Sequence, residues 1–319
     1  MTLGLEKMSW NRTLYRLQKT LCFLVSGVLL ILVLNSVNWD GFALGKLHLV
    51  FIAVAVLVSV AGNIFLASYK LWLLLKWTDL SVPFTRVLRL ILGLLAATFF
   101  TPFQSGHVLY AVALGRVERK PALSAFEVIA LDKLMTLSGT TFLLFVGSQF
   151  LPEGHLLGSW VFRLLGIMGS ILPFVLLFLP LLGKKWQFLR SLRVASNPLG
   201  AWKTLVLLAL SIIYQMTDVL AVFLASQAVG VKVEFVQTLA VVPAIVLLAL
   251  IPITISGLGA REPLLAILLP SSEDWNLAIQ TGLIWDFTEY VVPALVGFVA
   301  LPSLVLSLAK PEKEDQAKT

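Results

Sequence analysis

Apolar residues in this chain run on in blocks rather than recurring as a single helical stripe, and the informative positions are those that interrupt the blocks. A helix that crosses a hydrocarbon layer needs about 18 or more such residues. Blocks of that kind predict spans at about 20–37, 47–68, 124–149, 160–182, 204–228 and 277–308. Two further runs, about 88–115 and 236–269, are broken in the middle. The sharper break is Ile251-Pro-Ile-Thr-Ile-Ser-Gly-Leu-Gly-Ala-Arg-Glu-Pro263, and a weaker echo is Thr101-Pro-Phe-Gln-Ser-Gly-His107. A membrane core penalises unsatisfied backbone and stray charge alike, so breaks of this composition mark function. Between the second span and the first broken run, Tyr69 to Arg89 carries an apolar Leu71–Leu75 stretch with basic flanks, which predicts a helix lying at the interface.

Composition agrees with the blocks. The chain is 59% hydrophobic and 13% charged, where soluble chains carry about 25% charge. With a mean hydropathy of +0.94, it reads as an all-α polytopic membrane protein. The net charge of +7 and pI of about 9.6 would suggest nucleic acid in a soluble protein, but no basic soluble domain is there to host it. The basic residues instead sit in short loops, where they set orientation and meet anionic lipid headgroups. Cys22 is the lone cysteine, so neither an intrachain disulfide nor a thiolate metal cluster is expected. The basic start before Leu21–Leu34 resembles a signal peptide, yet no small-x-small cleavage site follows, and an uncleaved first helix is expected.

The loop charges make the two broken runs stand out. Basic residues flank the first run on both sides, and Lys232/Glu234 and Glu273/Asp274 flank the second. Under the positive-inside rule, each run enters and leaves on one side, as a re-entrant hairpin. Lys46, Arg163 and Lys232 are then external, Lys133 and Arg261 lie in the membrane region, and the other Lys and Arg are cytoplasmic, with both termini. The expected architecture is about six full spans plus two hairpins in one membrane domain, 1–319, without a soluble domain. The first repeat covers about 20–150 and the second, upside down relative to it, about 158–308. Paired Gly/Pro-interrupted segments in two inverted halves are the sequence pointer to a transporter site.

At the second break, Pro252 removes a backbone donor, and Gly257 and Gly259 permit positive φ or close approach, with Ser256 beside them. A helix starting near Gly259 aims free N–H groups inward, an end that favours an anionic group such as phosphate. Arg261 and Glu262 occupy its first turn. Thr101, Pro102, Ser105, Gly106 and His107 form the counterpart from the other half. Asp132 and Lys133 are adjacent, about 100° apart on a helix, and need not pair with each other. Asp286 and Glu289 share a face at i, i+3, and Asp218 lies in a polar cluster with Tyr214, Gln215 and Thr217. Acids thus outnumber bases in the spans, which admits protonation or coupling to protons or sodium. No metal spacing, dinucleotide fingerprint or nucleophile elbow occurs, so no catalytic residue, metal or cofactor is expected.

At these breaks the chain resembles the transmembrane region of the lysylphosphatidylglycerol synthase family, flippase-like membrane proteins. Thr101, Pro102 and Gly106 match the family's first element, Asp132-Lys133 stand for its E-R pair and Gly115-Arg116 for its end. Pro252, Gly257, Leu258, Gly259 and Glu262 match the second element, and Pro293 and Gly297 the last. Phe103, Gln104, His107 and Tyr110 depart from the family's Gly, Arg, Glu and Arg, and Asp286 stands where Arg is usual. The resemblance implies transport of a lipid or lipid-linked molecule between leaflets of a bacterial or archaeal plasma (inner) membrane. It implies no aminoacyl transfer, since no soluble synthase domain follows by Thr319. The other readings are a non-transporting subunit that scaffolds a cell-envelope synthesis enzyme, and an intramembrane transferase.

Overall fold

Leu49 opens a helix that runs without a break to Trp77 (α1), because no proline interrupts it and its apolar side chains leave the backbone no partner but itself. This computed structural model describes residues 24–35 in part, 48–99 apart from 79 and 81, 106–117, 122–175 apart from 153, 199–250, 257–269 and 275–302. Within them follow α2 (Phe84–Phe99), α3 (Gly106–Val117), α4 (Ala122–Ser148), α5 (Trp160–Val175), α6 (Ala201–Val229), α7 (Phe235–Leu248) and α8 (Arg261–Leu268). The last helix, α9, covers 275–298. All elements among the described residues are helical. Three helices there, Leu49–Trp77, Ser124–Ser148 and Ala201–Val229, are long and apolar enough to cross a membrane. The predicted first span, the end of the 160–182 span, the 183–198 connection and the tail fall wholly or largely outside the described residues.

The two broken runs form pairs of short helices. At 1.5 Å per residue, α2 and α3 are about 24 and 18 Å long and α7 and α8 about 21 and 12 Å, each short of a hydrocarbon core of about 30 Å. Within each pair the helices pack on one another, α2 on α3 and α7 on α8. Apolar contacts join the ends of these helices to the neighbouring turns. Val231 and Val233 before α7, Leu268 and Leu269 at the end of α8, and Leu151 and Leu157 between α4 and α5 share one apolar cluster. His155 Nε2 lies 3.2 Å from the Leu268 carbonyl, and the His48 N–H donates to the Ala228 carbonyl at the end of α6. At the other end of the bundle, Leu80 and Val82 before α2 cluster with Leu114 of α3, Ala125 of α4 and Leu199 before α6.

One expectation is corrected. Residues 69–77 are the last turns of α1 rather than a separate interfacial helix. Leu71, Leu74 and Leu75 are buried in the core, and Lys70 is only 3% exposed. Lys70 enters the fold because Asp132 lies 3.2 Å from its Nζ, and a paired charge can be buried where a lone one cannot. It therefore does not belong among the cytoplasmic loop charges.

Small residues set the closest crossings. A Cβ on Gly147 of α4 would collide with the Leu239–Ala240 backbone of α7, and one on Gly297 of α9 with the Leu92 carbonyl of α2. Gly62 of α1 meets the Thr217 side chain of α6 in the same way. Where two helices touch backbone to backbone, glycine is the residue that fits. The outer faces stay apolar, with Leu49, Val50, Leu57 and Phe65 on α1 and Trp160, Leu164 and Met168 on α5 all exposed. Such a surface suits lipid.

Candidate functional site

Gly257 and Gly259 both adopt left-handed backbone, φ +82°, in the turn that starts α8, as their place in the break predicts. The Gly259 N–H donates to Glu262 Oε1 at 3.3 Å, so the first-turn acid folds back to satisfy a free helix donor. A Cβ on Gly257 would lie 2.5 Å from Arg261 Nε. This glycine therefore serves two purposes: the turn, and the space the guanidinium occupies. Gly257→Ala is expected to lower stability by about 1–2 kcal/mol from backbone strain alone and to displace Arg261, as a fall in melting temperature of purified protein will report.

Arg261 is 2% exposed and is held within the protein. Its Nη1 donates to Asp286 Oδ1 at 3.3 Å, and its guanidinium stacks 3.8 Å from the Tyr290 ring centroid, with Trp285 at 5.6 Å. Gly282 admits this arrangement, because a Cβ there would come 2.8 Å from Glu262 Cα. Asp286 and Glu289 both point inward as their spacing predicts, although α9 passes through a π turn at Phe287–Val291 between Asp286 and the helix that follows.

Beyond Arg261 the polar seam continues across the bundle. Glu289 accepts from Ser59 Oγ and from Asn63 Nδ2 of α1. Asn63 sits in a second π turn, Ala61–Leu66. Tyr214 of α6 donates its O–H to Asn63 Oδ1 at 3.0 Å, and its ring centroid lies 5.3 Å from Lys70 Nζ. Lys70 in turn pairs with Asp132 and donates to Thr136 of α4. Asp132 thus pairs with Lys70 and not with its neighbour Lys133, which is exposed. Five elements, α8, α9, α1, α6 and α4, each contribute charged or hydrogen-bonding side chains to one seam.

The structure brings together Gly257, Gly259, Arg261, Glu262, Asp286 and Glu289, and links them through Tyr214 to Asp132. Gly106 and His107 open α3, in line with a helix that starts at the first break. Thr101, Pro102, Ser105, Pro252 and Ser256 lie outside the described residues. Sequence reasoning did not assign Ser59, Asn63, Lys70, Thr136 or Tyr290 to the site. The available signal was polar side chains inside the apolar 47–68 block: Ser59 and Asn63 lie four residues apart, on one helix face. No group of three or more potential metal ligands occurs among the described residues.

Broken helices around a buried, charge-paired centre, inside an apolar shell, define an integral membrane protein. The family model for the lysylphosphatidylglycerol synthase TM region matches residues 20–297. The chain belongs to that family. No curated protein and no solved structure matches it significantly.

Proposed function

We propose that this protein moves a lipid or lipid-linked, phosphate-containing molecule between the leaflets of a plasma (inner) membrane, without chemical turnover, by alternating access through an inverted repeat. The observation that carries this reading is the pattern of helix packing. Exchange α1 with α6, α2 with α7, α3 with α8 and α4 with α9. The packed pairs α2–α3, α3–α4, α1–α2, α1–α4, α1–α9 and α2–α9 then become α7–α8, α8–α9, α6–α7, α6–α9, α6–α4 and α7–α4, all of which are packed as well. The glycine crossings obey the same exchange, Gly147 on α7 and Gly297 on α2. With each short pair returning to its own end of the bundle, a half holds an odd number of full crossings, so the second half is inverted.

In this mechanism the tips of the two hairpins meet the headgroup near mid-depth, at Thr101–His107 and Pro252–Glu262. Arg261 supplies the electrostatic anchor, and Asp132, Lys133, Asp286 and Glu289 form the charged walls. Lys133, the exposed cation beside the seam, offers the first contact for an anionic headgroup, and Arg261 becomes available when its bond to Asp286 opens. Both termini lie on the cytoplasmic side, with the Leu80–Val82 end of the bundle. Proteoliposomes loaded with fluorescent anionic lipids test the reading. Lipid movement is expected with the native chain and a fall of at least about tenfold, some 1.4 kcal/mol of lost coupling, with Arg261→Ala/Asp286→Asn. Full activity in that double variant rules out this site.

A further inference from the structure

Charge does not balance at the centre of the bundle. Asp218, Glu262, Asp286 and Glu289 are 6%, 0%, 4% and 4% exposed, and among the described residues they surround a single base, Arg261, at 2%. Lys70 is spent on Asp132, and the other ionisable groups facing the cluster among the described residues are Tyr214 and Tyr290, neither a cation. The four carboxyls fall into two pairs. Glu262 reaches Asp286, which already takes the guanidinium. Asp218 of α6 lies within hydrogen-bonding reach of Glu289, and Asp218 Oδ1 has no donor among the described residues.

Two ionised carboxylates cannot face each other at this depth. Charges are poorly screened there, and each unpaired one carries a penalty of several kcal/mol. Arg261 serves the Glu262–Asp286 pair. The Asp218–Glu289 pair, which it does not bond, needs a proton or a metal cation, and the donor set around that pair decides between them. Both Glu289 oxygens already receive hydrogen bonds, from Ser59 O–H and Asn63 N–H. A metal ion needs oxygens turned toward it, whereas here an amide N–H points at the carboxylate where the ion would sit. A proton needs one free carboxyl oxygen opposite an acceptor, and Asp218 provides it. Glu289 and Asn63 lie in the π turns of α9 and α1, and π turns concentrate at functional sites.

We propose that Asp218 and Glu289 form a proton-binding carboxyl pair, one proton held between them in the resting state, and that its release and uptake couple proton movement to transport. The coupling half of this statement rests on the transport reading above; the proton-binding half does not. On release the two carboxylates repel, and the lowest-cost relief is a shift of the π turn that carries Glu289 away from α6. On uptake the pair closes again.

The test uses the full chain reconstituted in lipid, with infrared difference spectra recorded between neutral and alkaline pH. The expected result is a carbonyl-stretch band of a protonated carboxylic acid at neutral pH, shifted down in D₂O. It disappears in both Asp218→Asn and Glu289→Gln, near-isosteric variants whose folding is checked by melting temperature and gel filtration. A pH gradient across proteoliposomes is expected to speed lipid movement in the native chain and to have no effect in either variant. A band that survives both substitutions overturns the proposal. So does a sodium-dependent rise in melting temperature that Asp218→Asn abolishes while no band is seen, since that assigns the pair to a metal cation. The band present and variant-sensitive, with no lipid movement under any gradient, upholds the proton site and removes the transport reading.

Discussion

Replacing Lys70 by methionine is expected to destabilise the protein by about 3–5 kcal/mol, the cost of leaving a buried carboxylate without its partner. Lys70 and Asp132 are 3% and 8% exposed, and their charged atoms are 3.2 Å apart. Methionine fills most of the same space, so packing around Leu71 and Leu74 survives while the charge is lost. Asp132 then loses the ammonium bonded to it, and Tyr214 loses the ammonium over its ring. The paired change Lys70→Met/Asp132→Leu removes both charges and is expected to recover most of the loss, because a well-packed apolar pair is often as stable as a buried ion pair. Thermal unfolding in detergent, followed by loss of monodisperse protein, measures both. A single variant as stable as the native chain contradicts the burial of Lys70 in α1.

Gly297→Val and Gly147→Val are expected to be nearly as damaging, at about 1–3 kcal/mol or more each, because overpacking at these positions meets backbone rather than a side chain that could turn aside. Gly297 faces the Leu92 carbonyl and Gly147 the Leu239–Ala240 peptide. The added methyls push α9 off α2, or α4 off α7, and the separation propagates into the seam, since α9 carries Asp286 and Glu289 and α4 carries Asp132. Gly200→Ala is the control. Gly200 is exposed, a Cβ there meets nothing within 4 Å, and its φ of −62° suits any residue. A change within about 0.5 kcal/mol is expected there. If Gly297→Val and Gly200→Ala melt alike, the close crossing is not a determinant of stability.

The long spans were legible because lipid imposes one demand over many consecutive residues, and Leu49–Trp77 and Ala201–Val229 satisfy it with side chains alone. The break at Gly257 and Gly259 was legible for a local reason: glycines beside an intramembrane charge leave few alternatives to a turn with positive φ. Lys70 was misread because its chemistry is decided elsewhere. A lysine flanking an apolar stretch has the same local sequence whether it snorkels to the interface or meets Asp132 some sixty residues on, and only the packing of α4 against α1 decides. Asn63 is a similar case, since its value comes from Glu289 and Tyr214, which reach it from two other helices. Arg261 was singled out as an intramembrane charge, yet the sequence offered no sign that Tyr290 and Asp286 would hold it so closely.

The segments before and after residues 183–198 each lay a helix on the other: α4 lies on α7 and α9 on α2. Halves built this way are interlocked, unlike two bodies set side by side and joined by a linker. A fragment stopping in the 183–198 connection would leave the Gly147 face of α4 and the Leu92 face of α2 bare, each a groove cut to the shape of a missing helix. Neither fragment is then a folding unit. Two fragments made together can assemble, and the chain between them matters for synchrony of synthesis more than for shape.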